Sequence, residues 1–311
     1  DDDPYWTARD FSGDVAEVTA PVSLVGGWHD IFLPWLLADF VALRRAGREA
    51  RVVVGPWTHI APGVMRTSLR EALAWLRAHL LGDDRLLEAG PVRIWVGGAR
   101  EWRTLPDWPP PGTTERRVHL QPGHGLDDSV PTDSAPDAFR YDPRDPTPSL
   151  GGPTLFERSP VVDNAPLEAR DDVLVYTAEP LAQDREVIGP VRAEFFVRAS
   201  RPHFDVFVRI CDVDREGVSR NVCDGLVRVE PEARPADADG VVAVDVELWP
   251  TAHRFAAGPR LRVLVAAGAH PRYARNHGTG EPLGTATELV ATDLEVLHDP
   301  AHPSAVVLSV Q

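Results

Sequence analysis

The opening stretch of the chain alternates two apolar runs with one stretch of helical period, and that order constrains the fold more than anything else in the sequence. Pro21-Val22-Ser23-Leu24-Val25 reads as a strand, and so does Arg51-Val52-Val53-Val54. Between them, Ile31 to Gly47 carries Leu33, Leu36, Leu37, Phe40 and Leu43 at helical spacing and closes on a glycine suited to a helix C-cap. Strand, helix, strand is one βαβ unit with parallel strands. Parallel sheets are normally covered on both faces, which fits the continuously apolar Val52-Val53-Val54. So small a unit cannot cover both faces of a sheet. The expectation is that the other strands of its domain lie upstream of Asp1 or on another chain.

Each strand exit carries a side chain able to do chemistry. Gly26-Gly27-Trp28-His29-Asp30 follows the first run and Gly55-Pro56-Trp57-Thr58-His59 the second. Ligands of parallel α/β sheets bind outside the carboxyl ends of the strands, so the unit aims a carboxylate and an imidazole at one place. In acyl transfer a histidine moves the proton while an acid fixes its tautomer and stabilises the imidazolium. Both motifs are also ordinary turn chemistry, and the residues alone leave the catalytic pair and two plain turns open. His29 is a competing base, but alternation sends neighbours to opposite faces, which favours His59. Trp28 and Trp57 read as packing for the strand ends. Phe32 either lines a pocket or packs beneath it. A nucleophile is missing: no serine of the chain stands in a G-x-S-x-G elbow.

A chain of 311 residues suggests two domains. Its formal net charge is −15, and all 32 basic residues are arginine. So acidic a balance argues against nucleic acid, whose backbone calls for a basic face. No apolar run approaches the ~20 residues of a membrane helix. Cys211 and Cys223 read as reduced thiols, and no Cys or His spacing suggests a metal; no cofactor is expected. The chain starts at Asp1-Asp2-Asp3-Pro4 without a targeting segment, so its location is not legible.

A second helix is expected from Met65 to Leu81, with Leu69, Leu73, Leu76 and Leu80 as its apolar positions and a stop at Gly82. Beyond it the period falls to two, through Val92–Val96, Val173–Tyr176, Val191–Val197, Phe204–Ile210 and Leu261–Val265. Residues 106–166 are rich in Pro, Gly, Asp and Ser and read as long ordered loops with a few short strands. His119, His124, His253, His270, His277, His298 and His302 fall in loops or at strand ends and read as surface residues. The fold class is α/β plus all-β. Residues 1–82 form the α/β part and 83–311 a β-sandwich of the jelly-roll kind.

Gly27-Trp28-His29-Asp30 and Gly55-Pro56-Trp57-Thr58-His59 resemble the acid and histidine motifs of the cocaine-esterase and X-prolyl dipeptidyl-peptidase group of serine hydrolases. The likeness runs on, in order, through Asp171–Thr177, Glu186–Pro190, Leu248–His253 and His298–Ser304. The resemblance implies the C-terminal part of an α/β-hydrolase domain followed by a jelly-roll domain of galactose-binding-like type. It makes Asp30 the triad acid and His59 the triad histidine, and sets Phe32 where an aromatic lines the acyl pocket. His29 stands where the family often has Tyr. The family's serine and oxyanion donors lie upstream of this stretch, so the chain alone is expected to be inactive and to need an N-terminal hydrolase segment. Expected substrates are small esters, amides or short peptides, with a homodimer also possible. The alternative is a non-catalytic β-sandwich for domain packing, dimerisation or carbohydrate binding.

Overall fold

A computed structural model describes residues 4–156 and 159–311, which divide into two compact units. The first runs to Pro111 and takes in a segment from Pro153; the second comprises the rest. After a short helical turn α1 (Pro4–Thr7), the first unit contains β1 (Val22–Gly27), α2 (Leu33–Arg45), β2 (Ala50–Gly55), α3 (Pro62–Leu81), β3 (Val92–Val96) and β4 (Glu101–Leu105). Its sheet has the order β1-β2-β3-β4.

The βαβ unit forms as its periodicity demands. β1 and β2 pair in parallel, with Val22 opposite Ala50 and Gly27 opposite Gly55. Every residue of β2 is buried, which is why that strand carries no alternation. Leu33, Leu37, Phe40 and Leu43 are the buried stripe of α2, while Leu36 reaches back against Gly26.

Two expectations are corrected here. β3 joins this sheet, parallel to β2 with Val52 opposite Val92, and β4 pairs with β3. The first unit therefore extends past residue 82, and one neighbour of the parallel pair comes from within the chain. The second correction concerns α3. Leu69, Leu73, Leu76 and Leu80 are exposed, while Val64, Glu71, Ala74 and Trp75 are the buried residues. The Arg51 guanidinium, buried beneath the helix, explains the choice of face: its Nε donates to Glu71 Oε2 at 3.1 Å, and Trp75 Nε1 donates to Pro21 O. Gly82 caps the helix in the left-handed conformation, φ +69°.

The second unit is built almost wholly of strands: β5 (Thr114–Gln121), β6 (Gly125–Asp127), β7 (Asp137–Tyr141), β8 (Val173–Ala178), β9 (Arg185–Ala199), β10 (Phe204–Val213), β11 (Ser219–Val229), β12 (Val241–Phe255), β13 (Arg260–Ala266), β14 (Thr292–Asp299), β15 (His302–Pro303) and β16 (Ala305–Val310). Hydrogen bonding links them as β11-β10-β13-β8-β6-β5-β16-β9-β14-β15, with β12 on β9 and β7 on β14. Alternate side chains, among them Val118, Tyr176, Phe195, Val208, Val244, Val263 and Val306, meet in one core. β5 is longer than the short strands expected in that Pro-rich stretch, and it lies inside the sheet between β6 and β16. Its polar start, Thr114 to Arg117, hides it from a hydrophobicity reading.

Cys211 and Cys223 are free and buried. They pack into separate apolar clusters, and burial pushes the Cys211 thiol up to about 12. The surface reading of the histidines fails at His298, which is 1 % exposed. Its Nε2 lies 2.8 Å from Asp137 Oδ2 and its Nδ1 2.9 Å from Ser134 Oγ, while Tyr176 also donates to Asp137. His119 is buried too, and His253 pairs with Asp212.

Candidate active site

The chain leaves β1 and β2 through loops that are hydrogen-bonded to each other. Trp28 N–H donates to Gly55 O at 2.9 Å and His29 N–H to Trp57 O at 3.0 Å. The approach is close enough to demand a glycine: a Cβ on Gly27 would lie 2.1 Å from Trp57 O. Trp28 is buried, donates from its ring to Trp95 O and leans on Trp108; Trp57 packs against Trp102. Both tryptophans thus wedge the strand exits.

On this frame the three sequence-predicted residues come together. Asp30 is 5 % exposed. Its Oδ1 accepts the Phe32 N–H at 2.9 Å, and Asp30 O accepts the Leu33 N–H, so the entry to α2 holds the carboxyl in place. His59 Nδ1 lies 3.0 Å from Asp30 Oδ2 and 3.2 Å from Oδ1. A carboxylate only accepts, so Nδ1 carries a proton, and in the neutral imidazole Nε2 is the acceptor. No described side chain bonds that Nε2, and the His59 side chain is 41 % exposed. The Phe32 ring meets the imidazole edge-on, with centroids 4.9 Å apart, and is itself half exposed. Such an arrangement suits a base: a buried acid orients Nδ1, and Nε2 is open.

The loop around Thr154 was not legible from sequence. Thr154 N–H donates to His29 O at 3.0 Å, and His59 N–H donates to Thr154 O at 3.5 Å. Among the described residues no group of three or more His, Cys, Asp or Glu is arranged to hold a metal ion. No described helix is long and apolar enough to cross a membrane.

Residues 87–307 match the family model of the X-Pro dipeptidyl-peptidase C-terminal non-catalytic domain, and residues 1–61 match that of the X-Pro dipeptidyl-peptidase S15 family. The chain belongs to the cocaine-esterase and X-Pro dipeptidyl-peptidase family of hydrolases. Within that family, cocaine esterase of Rhodococcus sp. (strain MB1 Bresler) is 32 % identical over all of this chain and 60 % of its own length. A putative serine esterase of Mycobacterium tuberculosis is 24 % identical over 87 % of this chain and 48 % of its own. The chain therefore spans 48–60 % of these relatives. Two solved structures show the same fold. An aminopeptidase from a marine sediment archaeon, Thaumarchaeota archaeon, aligns with TM-score 0.84 at 24 % identity, over 99 % of this chain and 58 % of its own. An α-amino acid ester hydrolase aligns with TM-score 0.87 at 20 % identity, over 99 % and 59 %. The fold, mostly sheet with one large multi-stranded sheet, is that of this hydrolase family.

Proposed function

We propose that Asp30 and His59 are the acid and the base of a Ser-His-Asp triad that hydrolyses ester or amide bonds, with the serine supplied from outside these 311 residues. The observation that carries this reading is the 3.0 Å contact from His59 Nδ1 to Asp30 Oδ2, with Nε2 left open. In such a triad Nε2 takes the serine proton and returns it to the leaving group. Phe32, edge-on to the imidazole, is the side chain assigned to contact the acyl group. The first unit is then part of an α/β-hydrolase domain and the second a jelly-roll sandwich. The relatives' names, an esterase and a putative Xaa-Pro dipeptidyl-peptidase of Streptomyces avermitilis, bracket the substrate class as small esters, amides or short peptides. His59→Ala in the full-length protein tests the triad: turnover should fall by up to about 10⁶-fold, and unchanged turnover ends the reading.

One observation favours a second reading for most of the chain. The model matching residues 87–307 describes a non-catalytic domain, which supports reading the second unit as a module for packing or partner contact. Incubating the 311-residue chain alone with a fluorophosphonate probe tests this part. No serine should be labelled.

A further inference from the structure

The Thr154 backbone bonds to both loops that carry the acid–base pair. Its N–H is bonded to the carbonyl of His29, the residue before the acid, and its carbonyl receives the N–H of His59 itself. Among the described residues, the His59 N–H has no other acceptor. Within the second unit, the chain that flanks this segment is held by its own hydrogen bonds. Gly152 N–H donates to Pro160 O at 2.7 Å, Asn221 Nδ2 to the same oxygen at 2.9 Å, and Arg209 Nη1 to Leu150 O at 2.5 Å. Arg209 is itself buried and paired with the equally buried Asp224. Gly152 adopts φ +86°, where a Cβ would stand 2.7 Å from Arg272 Nη1, so this position accepts no larger residue without strain.

We propose that Pro153–Phe156 is a positioning strap for the Asp30–His59 pair, acting through the Thr154 backbone. The inference rests on the reading of that pair given above. Its physical basis is the weak hold on His59 otherwise. The side chain is 41 % exposed and has Asp30 as its hydrogen-bond partner, so a small shift of the loop at residue 59 swings Nε2 away from a serine hydroxyl. Misplacement of a catalytic group by about 1 Å costs about 100-fold in rate. Thr154 links the backbone of His59 to that of His29, the residue before the acid, and so restrains that freedom. It touches no reacting atom and acts only through position.

Two substitutions separate the backbone from the side chain. Thr154→Pro removes the N–H, whereas Thr154→Ala keeps both backbone bonds. In the full-length protein, with p-nitrophenyl acetate as the probe substrate, Thr154→Pro should lower kcat about 100-fold with little change in KM, and Thr154→Ala should leave both near wild type. The downfield proton signal of the His59 Nδ1–H should be lost in the proline variant and kept in the alanine variant. Normal turnover in Thr154→Pro, or an equal loss in Thr154→Ala, overturns the proposal. If the proline variant does not fold, amide hydrogen exchange on the unsubstituted protein decides the matter. Thr154 and His59 N–H should both be protected, and exchange at the free-amide rate overturns the strap. A failure of the underlying triad reading looks different: His59→Ala would then retain turnover.

Discussion

The Nδ1–H of His59 points into a carboxylate, Asp30, that the N–H of Phe32 holds from the start of the following helix. The pair is therefore fixed by backbone on the acid side and left open on the base side. Asp30→Asn should preserve this geometry while reversing the hydrogen-bond demand on Nδ1, so the imidazole takes the wrong tautomer. In the full-length protein kcat should drop by about 10⁴-fold, the loss seen when a triad acid is so changed, with thermal stability close to wild type. A variant that keeps wild-type kcat would detach Asp30 from the chemistry.

Gly27 sets how closely the two loops can meet. A methyl group there would fall 2.1 Å from Trp57 O, and that oxygen accepts the His29 N–H. Gly27→Ala must push the loops apart. Overpacking of this kind costs about 1–3 kcal/mol, so the unfolding midpoint should fall and activity with it. An unshifted midpoint in chemical denaturation would refute the close approach.

How much of this was readable beforehand depends on how local each signal is. Asp30 and His59 could be placed because strand exits are marked by their own neighbours, Gly26-Gly27-Trp28 and Gly55-Pro56-Trp57. Strand β3 could be seen as a strand, but its sheet could not: the pattern of Val92–Val96 is buried at every second residue, which suits either unit. Thr154 has no local signature, because its role is two backbone bonds to residues far away in sequence. The face of α3 misled for a different reason. Periodicity shows which side of a helix is apolar, whereas burial follows the partner, and Arg51 draws Glu71 inward. His298 was missed because its partners, Ser134 and Asp137, are distant in sequence.

The His298–Asp137 pair should make stability depend on pH in a defined direction. The hydrogen bond to Asp137 raises the His298 value above its usual 6.5, against the opposing effect of burial. Burial pulls the Asp137 value up, but hydrogen bonds from His298 and Tyr176 outweigh it and hold the carboxyl below its usual 3.8. A raised imidazole contributes fully below 6.5 and loses that contribution as pH rises through the folded value. A lowered carboxyl contributes fully above 3.8 and loses it as pH falls through its own. The charged groups facing the imidazole are Asp137 and Asp299, with His124 beyond Asp137. His298→Gln should cost about 1–3 kcal/mol in the window between those two values and less at alkaline pH. Denaturation curves of both proteins across pH check it; a difference that grows with rising pH contradicts the assignment.

The outward face of α3 is too apolar to be solvent-facing by design. Met65, Leu69, Leu73, Leu76 and Leu80 are 62, 67, 56, 54 and 74 % exposed, and they follow one another along a single side of the helix at spacings of three and four. Contiguous apolar surface of this kind marks a contact or an aggregation risk. In the same unit, β1 is an end strand of its sheet, pairing only with β2 among the described strands, which leaves a ladder of backbone groups for a further strand. Replacing Leu73 and Leu80 with Gln should barely alter the unfolding of the 311-residue chain alone, by less than about 0.5 kcal/mol as for other surface changes, and should reduce its self-association in sedimentation runs. In a longer protein carrying the remaining share of its relatives' length, the same two changes should cost about 2 kcal/mol or more each, the loss expected when a covered leucine gives way to a buried amide. Equal, small effects in both proteins would leave the stripe as plain surface. A large loss already in the short chain would mean that these leucines are covered there.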